Sequence, residues 1–428
     1  MTEPLRLGIA GLGTVGAGVV RIVQTHAAML EARGGRPVSI SAVCARSRNR
    51  DRGVDVSGYD WEDDPVALAR RDDVDVLIEL MGGEDGPAKA CVEAALETGK
   101  HVVTANKAML AHHGQAMAEA AEAAGRALKF EAAVAGGIPI VKALGEGLAA
   151  NAIQRLMGVM NGTCNYILTE MEATEAPYEQ VLEDAQKLGY AEADPTFDVG
   201  GIDAAHKLAL LASIAYGARV DFAGVQTEGI DRITLTDIQQ ARDMGFRIKL
   251  LGVAKMTPDG LEQRMTPCLV PAGSSIGLLG GVTNAVVVEG DFVGQTVFQG
   301  PGAGQGPTAS AVMADVLDIA RGQIGTTFGV PATRLAAAPR AADSGAAAYY
   351  LRMSLQDAPG TLAKVTAALG EEGVSIRQMR QYEHEGDAAP VIFVTHPAPR
   401  AALDGALGRL GAMEECIDAP MALRVEIL

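Results

Sequence analysis

The six residues Gly11-Leu12-Gly13-Thr14-Val15-Gly16 constrain this chain more than any others. An apolar run, Leu5 to Ala10, precedes them, and Val19, Val20, Ile22 and Val23 continue an apolar helix after them. Strand, glycine turn and helix is the context in which a G-x-G-x-x-G spacing becomes informative. The first glycine permits a tight turn, the second lets a pyrophosphate approach the backbone, and the third lets helix and strand pack closely. The free N–H groups and positive dipole at the helix start then suit a phosphate. The motif predicts a dinucleotide site on Gly11, Leu12, Gly13, Thr14, Val15 and Gly16. A glycine turn without a ligand would carry the same letters.

The next stretch repeats the strand–helix alternation of an open parallel sheet. Residues 38–45 read as a second strand. It ends in Arg46, Ser47, Arg48, Asn49 and Arg50, where an NAD-specific site usually carries Asp or Glu for the ribose. A cationic end suits a 2′-phosphate, hence NADP(H) with Arg46 as a contact; a solvated basic turn fits equally well. Residues 74–80, 101–104 and 127–133 read as strands, with helices over 89–98 and 110–124. Ligands gather at the C-terminal ends of such strands, which brings in Gly82 and the run Thr104, Ala105, Asn106, Lys107. The glycines within residues 131–140 can aim several backbone carbonyls at one point, as a hard cation requires.

Residues 189–207, GYAEADPTFDVGGIDAAHK, gather Glu192, Asp194, Asp198 and Asp203 ahead of an apolar run to Tyr216. A helix from about Ile202 puts Asp203 and Lys207 on one face. A surface ion pair and an acid/base lysine in an acidic site both fit that spacing. Before this stretch, residues 152–160 read as a strand, Asn161-Gly162 as a turn, and 167–172 and 178–188 as helices. Cys164 has no histidine placed by sequence to activate it and reads as a core or loop residue. After the stretch, strands near 248–254 and 285–290 suggest a mixed second layer. PGAGQGPTASAV, from Pro301, is another glycine loop entering a helix, able to fold back over the nucleotide domain. Residues 331–348, rich in Ala, Pro and Arg, read as a linker. Beyond it, segments 349–355, 361–369, 374–380, 391–396, 401–412 and 423–428 spell β-α-β-β-α-β, a ferredoxin-like pattern.

Composition excludes several classes. Aromatics at 4% and a net charge of -17 argue against a nucleic-acid partner, which needs stacking rings or cations for phosphates. Cys44, Cys91, Cys164, Cys268 and Cys416 form no C-x-x-C pair, so neither a disulfide framework nor a structural zinc is expected. His112 and His113 are adjacent and do not share a helix face, which disfavours a metal there. The apolar N-terminal stretch lacks the basic start of a signal peptide, and no apolar run is long enough for a membrane span. A reducing cytoplasm is the expected setting.

Taken together, these blocks resemble homoserine dehydrogenase in its form with a C-terminal ACT domain, over nearly the whole chain. GYAEADPTFDVGGIDAAHK is similar to the family's substrate segment, with Gly201, Asp203 and Lys207 as its G-x-D-x-x-x-K element. GLGTVG, TANK (Thr104 to Lys107), EAAVAGGIPI, NGTCNYIL and PGAGQGPTA resemble its other blocks in order. Asp357, Pro359, Gly360, Leu362 and Val365 resemble the D-x-P-G-x-L-x-x-V run of an ACT domain.

The resemblance implies a Rossmann-type dinucleotide-binding domain over 1–130 and an α+β catalytic and dimerisation domain over 131–330, whose segment near 301–320 returns to the first. A linker over 331–348 and a ferredoxin-like ACT domain over 349–428 would follow. It implies NAD(P)-dependent interconversion of L-homoserine and L-aspartate 4-semialdehyde, in threonine and methionine biosynthesis, by a homodimer or homotetramer. It makes Lys207 the acid/base residue, Asp203 its partner and Glu192 a homoserine ligand, with Lys107 and Asp198 also at the substrate. Lys107, Arg46, Gly82, Thr104 and Gly304 would meet the nucleotide, and Glu131, Val134, Gly136 and Ile138 a sodium ion. Phe197 stands where some relatives carry an acid, which puts a substrate role there in doubt. A lysine whose pKa is lowered by burial or by a neighbouring cation can take the alcohol's proton; Lys107 could be that cation. Threonine is the expected effector at the ACT domain, although such modules can also simply dimerise. The position of the fingerprint leads us to expect no fused aspartokinase. Two other readings remain at this point. A reductase of another aspartate-pathway aldehyde or imine would not need Glu192, Asp203 and Lys207 together. A non-catalytic nucleotide and amino-acid sensor would tolerate loss of Lys207.

Overall fold

The computed structural model describes residues 3–342, 345–381, 386 and 388–427. The first unit contains strands β1 (Leu5–Ala10), β2 (Val38–Cys44), β3 (Asp60–Glu62), β4 (Val76–Glu79), β5 (His101–Thr104) and β6 (Leu128–Lys129). They pair in parallel in the order β3-β2-β1-β4-β5-β6. Leu7, Ile9, Val76, Ile78, Val102 and Val103 are fully buried, because parallel strands are covered by helices on both faces. The strand order reverses between β1 and β4, and a ligand crevice opens at such a switch point. The helix Thr14–Gly34 starts there.

Two expectations change in this unit. β3 and the helix Pro65–Arg70 were not read from the sequence; the helix is held by Asp64, which accepts the N–H groups of Val66 and Ala67. Residues 131–133, expected to end a strand, instead form a 3-10 turn. The reason is that the Glu131 N–H donates to Asp315 Oδ2 at 2.9 Å rather than to a neighbouring strand.

The second unit carries β7 (Ile153–Val159), β8 (Gln226–Thr227), β9 (Phe246–Thr257), β10 (Gly260–Pro271), β11 (Thr283–Gly290) and β12 (Gly294–Pro301). β9 and β10 pair in unbroken antiparallel register from Thr257↔Gly260 to Phe246↔Pro271. The helix Ile202–Tyr216 lies on this sheet. Gly252 allows the approach, since a Cβ there would fall 2.5 Å from Met265 Cε and 3.4 Å from Leu208 Cδ1. The helix Gln305–Ala320 returns to pack on Thr14–Gly34, and Gly18 makes room: a Cβ there would fall 2.8 Å from the Gln305 carbonyl oxygen.

The third unit comprises β13 (Tyr349–Gln356), the helix Thr361–Glu371, β14 (Ile376–Gln381), β15 (Ala388–Thr395), the helix Arg400–Gly411 and β16 (Met421–Val425). Its antiparallel order β16-β13-β15-β14 is ferredoxin-like. The strand expected over 423–428 starts earlier and ends earlier, and residue 428 lies outside the described residues. β16 also pairs in parallel with β10, through Cys268↔Arg424 and Leu269↔Val425. The second and third units therefore share one ten-stranded sheet.

Candidate active site

Asn161, just after β7, organises the site. Its Oδ1 accepts the Cys164 N–H at 2.8 Å and so caps the helix Gly162–Thr174. The Asn161-Gly162 pair is thus a helix start rather than a free turn. The Nδ2 of Asn161 donates to Asp198 Oδ1 at 2.8 Å and to Asp203 Oδ2 at 3.0 Å. Sequence reasoning did not single this residue out; a cap-type residue at a strand end was the available signal.

Asp203 sits in the first turn of the helix Ile202–Tyr216, which Gly201 enters at φ 80. Lys207, one turn further, donates from Nζ to Asp203 Oδ2 at 2.7 Å and to the Met160 carbonyl at 2.8 Å. Lys107 opens the helix after β5, and its Nζ lies 3.1 Å from Asp203 Oδ1. Each oxygen of Asp203 therefore faces one lysine. Lys207 is 9% and Asp203 7% exposed, which excludes the reading of 203 and 207 as a solvated surface pair. Burial pushes the Asp203 carboxyl up, but the ammonium groups of Lys207 and Lys107 outweigh it and hold the group well below the ordinary carboxylate range. Asp198 is shifted the other way: burial raises it, the Asn161 hydrogen bond opposes this, and the charge of Asp203 adds to the rise.

These groups line a cavity of about 540 Å³. Val15, Ala105 and Ala132 wall it on the dinucleotide side, and Gly302, Ala303 and Gly304 close it from the return segment. The fingerprint glycines divide by role. A Cβ at Gly11 would fall 2.7 Å from the Leu80 carbonyl, and one at Gly16 only 2.1 Å from the Gly11 carbonyl oxygen, whereas Gly13 faces open space. Gly13 is also the N-cap of its helix and supplies no side-chain partner to the first N–H groups. Open space above free N–H groups fits a dinucleotide pyrophosphate.

The other expected site residues fall into place unevenly. Gly304 starts the return helix at φ 127 and lines the cavity. Gly82 stands exposed after β4, its N–H 3.2 Å from Glu79 Oε1. Thr104 is fully buried; its hydroxyl donates to Glu79 Oε2 at 2.6 Å and accepts the Asn106 N–H, so it shapes the loop after β5. Arg46 is exposed at the end of β2. Nearby Arg52, which the sequence did not single out, donates from Nε to the Leu12 carbonyl at 3.0 Å and clamps the fingerprint loop. Glu192 is exposed on a loop whose Gly189 and Tyr190 line the cavity, but its own side chain does not line it.

Glu131 is buried, and its two carboxylate oxygens accept the N–H groups of Val141 and Lys142 at 3.0 and 2.9 Å. Burial, and then Asp315, push this carboxyl up to about 7. Val134 and Ile138 are buried close by, Ala135 takes a left-handed φ of 48°, and the Gly136 N–H donates to the Gly302 carbonyl. Among the described residues, no group of three or more His, Cys, Asp or Glu side chains is arranged for a metal. Cys164 is fully buried, and burial pushes its thiol well up, in keeping with a core role.

Three family models match the chain: Homoserine dehydrogenase over residues 139–317, Homoserine dehydrogenase NAD binding domain over 11–131, and ACT domain over 349–412. The chain is 43% identical to the homoserine dehydrogenase of Pseudomonas aeruginosa, over 100% of both chains. It is 42% identical to that of Neisseria gonorrhoeae, over 100% of this chain and 99% of the relative. Its fold superposes on the crystal structure of a homoserine dehydrogenase from Thiobacillus denitrificans with a TM-score of 0.93 at 40% identity, covering 99% of each chain.

Proposed function

Because the chain belongs to the homoserine dehydrogenase family, we propose that it interconverts L-homoserine and L-aspartate 4-semialdehyde with a nicotinamide dinucleotide, Lys207 handling the proton. The observation that carries this reading is the Lys107–Asp203–Lys207 array in the cavity wall, with Asp203 and Lys207 buried and Lys107 half-buried. When bound, the nucleotide exchanges a hydride with the substrate's terminal carbon. In the oxidation, neutral Lys207 takes the hydroxyl proton on Nζ as the carbonyl forms; in the reduction, the ammonium returns it. Asp203 and the Met160 carbonyl take two of the ammonium's three N–H directions, leaving one for the substrate oxygen. Lys107 supplies a second cation for substrate oxygens. Asp198 and Glu192 are the carboxylates available to the substrate's ammonium.

The basic end of β2, with Arg46 exposed and no acid before Asp51, favours NADP(H) over NAD. A sodium ion at residues 131–138 would rest on backbone carbonyls, since both oxygens of Glu131 already accept backbone N–H groups. Exposed Phe292, Val293 and Val297, on and beside the edge strand β12, support a homodimer or homotetramer. Five free cysteines support a reducing, cytoplasmic setting, and no described helix is long and apolar enough to cross a membrane. Threonine is the effector we assign to the ACT domain.

The test is homoserine oxidation with NADP and with NAD by the parent and by Lys207→Ala. We expect faster turnover with NADP, and a loss on the order of 10²–10⁴-fold in the variant with nucleotide binding retained. Turnover that survives the substitution would move the proton to Asp203. No homoserine turnover by the parent with either nucleotide would return the chain to the sensor or to another reductase.

A further inference from the structure

Asn284, the second residue of β11, lines the active cavity. It is 1% exposed, yet neither Nδ2 nor Oδ1 meets a hydrogen-bond partner among the described residues. Buried amides are ordinarily satisfied on both atoms, because an unpaired one loses its hydrogen bonds to water with nothing in exchange. The surroundings are built to hold this amide where it is. A Cβ on Gly302 would fall 2.1 Å from Nδ2 and 2.6 Å from Oδ1, so only glycine at 302 leaves the side chain its space. The backbone beside it is also fixed, since the Gly302 carbonyl accepts the Gly136 N–H at 2.9 Å.

The occupant follows from the chemistry of what enters the cavity. The Lys and Asp side chains lining it are Lys107, Lys207, Asp198 and Asp203. The substrate's carboxylate and ammonium call for charged complements, which these four groups and Glu192 on the rim loop supply. A neutral donor and a neutral acceptor side by side match instead a primary carboxamide, which presents one of each. The nicotinamide ring carries that group. The segment against which Asn284 packs, Gly302–Gly304, leads into the helix that docks on Thr14–Gly34 of the dinucleotide unit. Resting on the hydride-transfer reading above, we propose that Asn284 reads the nicotinamide carboxamide: Nδ2 donates to its oxygen and Oδ1 accepts from its NH2. Asn284 thereby fixes which face of the ring turns toward the substrate.

The test compares reduced NADP with its reduced 3-acetylpyridine analogue, which keeps the carbonyl and lacks the NH2. Dissociation constants are read from the fluorescence of the reduced nucleotides, so the measurement does not depend on turnover. The parent is expected to bind the natural nucleotide several-fold tighter than the analogue. In Asn284→Ala, natural binding weakens about tenfold, as loss of two neutral hydrogen bonds predicts. The analogue weakens less, so the ratio between the two collapses toward one. The isosteric Asn284→Asp loses the donor and keeps the acceptor, and guards against a folding defect; its ratio stays above that of the alanine variant. Equal weakening of both nucleotides, or a changed KM for homoserine with nucleotide binding untouched, would overturn the proposal. Absence of homoserine turnover in the parent would instead overturn the hydride-transfer reading, while the binding ratio would still report on Asn284.

Discussion

Asp198 and Glu192 are the two carboxylates proposed for the substrate's ammonium. Asp198 is in the cavity wall but is tied to Asn161. Glu192 is exposed on the loop that supplies Gly189 and Tyr190 to the cavity rim. A residue already engaged in the resting site is a poor donor of new binding energy, so we expect Glu192 to close on the ammonium with its loop. Glu192→Gln should then raise the KM for homoserine about tenfold or more, the worth of a hydrogen bond to a charged group, with kcat nearly unchanged. A larger KM effect from Asp198→Asn would assign the ammonium to Asp198. Lys249 gives a prediction of another kind. It is buried, donates to Asn165 Oδ1 at 2.7 Å and to the Leu279 carbonyl, and its pKa is lowered to about 8, first by burial and then by Arg247. Below pH 8 both folded and unfolded chains carry this charge, and the cost of burying it is felt in full. Between about 8 and the ordinary 10.5 the folded chain sheds the proton while the unfolded chain keeps it, so stability rises with pH. Urea unfolding at pH 7.5 and pH 10 should show the parent gaining up to about 3 kcal/mol relative to Lys249→Met. Equal pH dependence in the two proteins would mean that Lys249 titrates alike in both states.

Elements were legible where period and punctuation agreed. β1, β5 and the helix from Ile202 carry apolar runs bounded by glycine or a cap residue, and they stand where the sequence puts them. β10 was not legible: Glu262, Gln263 and Arg264 sit in the middle of GLEQRMTPCLVP, yet all three are buried. Lys255 faces Glu262 across the hairpin, but Gln263 donates to the Asp221 carbonyl and Arg264 pairs with Glu426 just after β16, partners too distant in sequence for a local pattern to announce. The site shows the same limit. The fingerprint and the 203/207 spacing were readable, but the bridge from Lys107 to Asp203 and the open amide of Asn284 arise only from tertiary packing. The junction of helix Leu235–Asp243 with β13 is likewise long-range. Asp237 is fully buried, closes a capping box with Thr234, and accepts Tyr350 Oη and Arg352 Nε, each at 2.8 Å. Removing one partner of such an array strands the rest, so Asp237→Ala should cost about 3–5 kcal/mol. Calorimetry should show it as a separate, earlier melting of the third unit, and a single transition at the parent temperature would deny the junction that role.

At the scale of the whole molecule, the ACT unit is more than a passenger on a linker, because β16 continues the catalytic sheet through β10. Glu426 binds the seam: its carboxylate meets Arg264 of β10 at 2.8 Å, Arg424 of β16 at 3.0 Å and Arg155 of β7 at 3.4 Å. β7 runs into Asn161, which holds both Asp198 and Asp203. We propose that an effector shifting the ACT strands acts along β7 on Asn161 and, through it, on Asp198 and Asp203, so that the two distant sites are coupled. Threonine should lower the affinity for homoserine by roughly 5–150-fold, the usual span of such couplings, and bound homoserine must lower threonine affinity by the same factor. Glu426→Gln, which weakens the seam without touching the cavity, should bring that factor toward one while turnover without threonine stays within about twofold of the parent, since the substitution leaves the Lys107–Asp203–Lys207 array intact. Paired titrations, threonine against homoserine and the reverse, measure the factor twice. If threonine changes neither homoserine affinity nor the stability of the parent, the shared sheet serves to hold the fold together and the effector assignment fails.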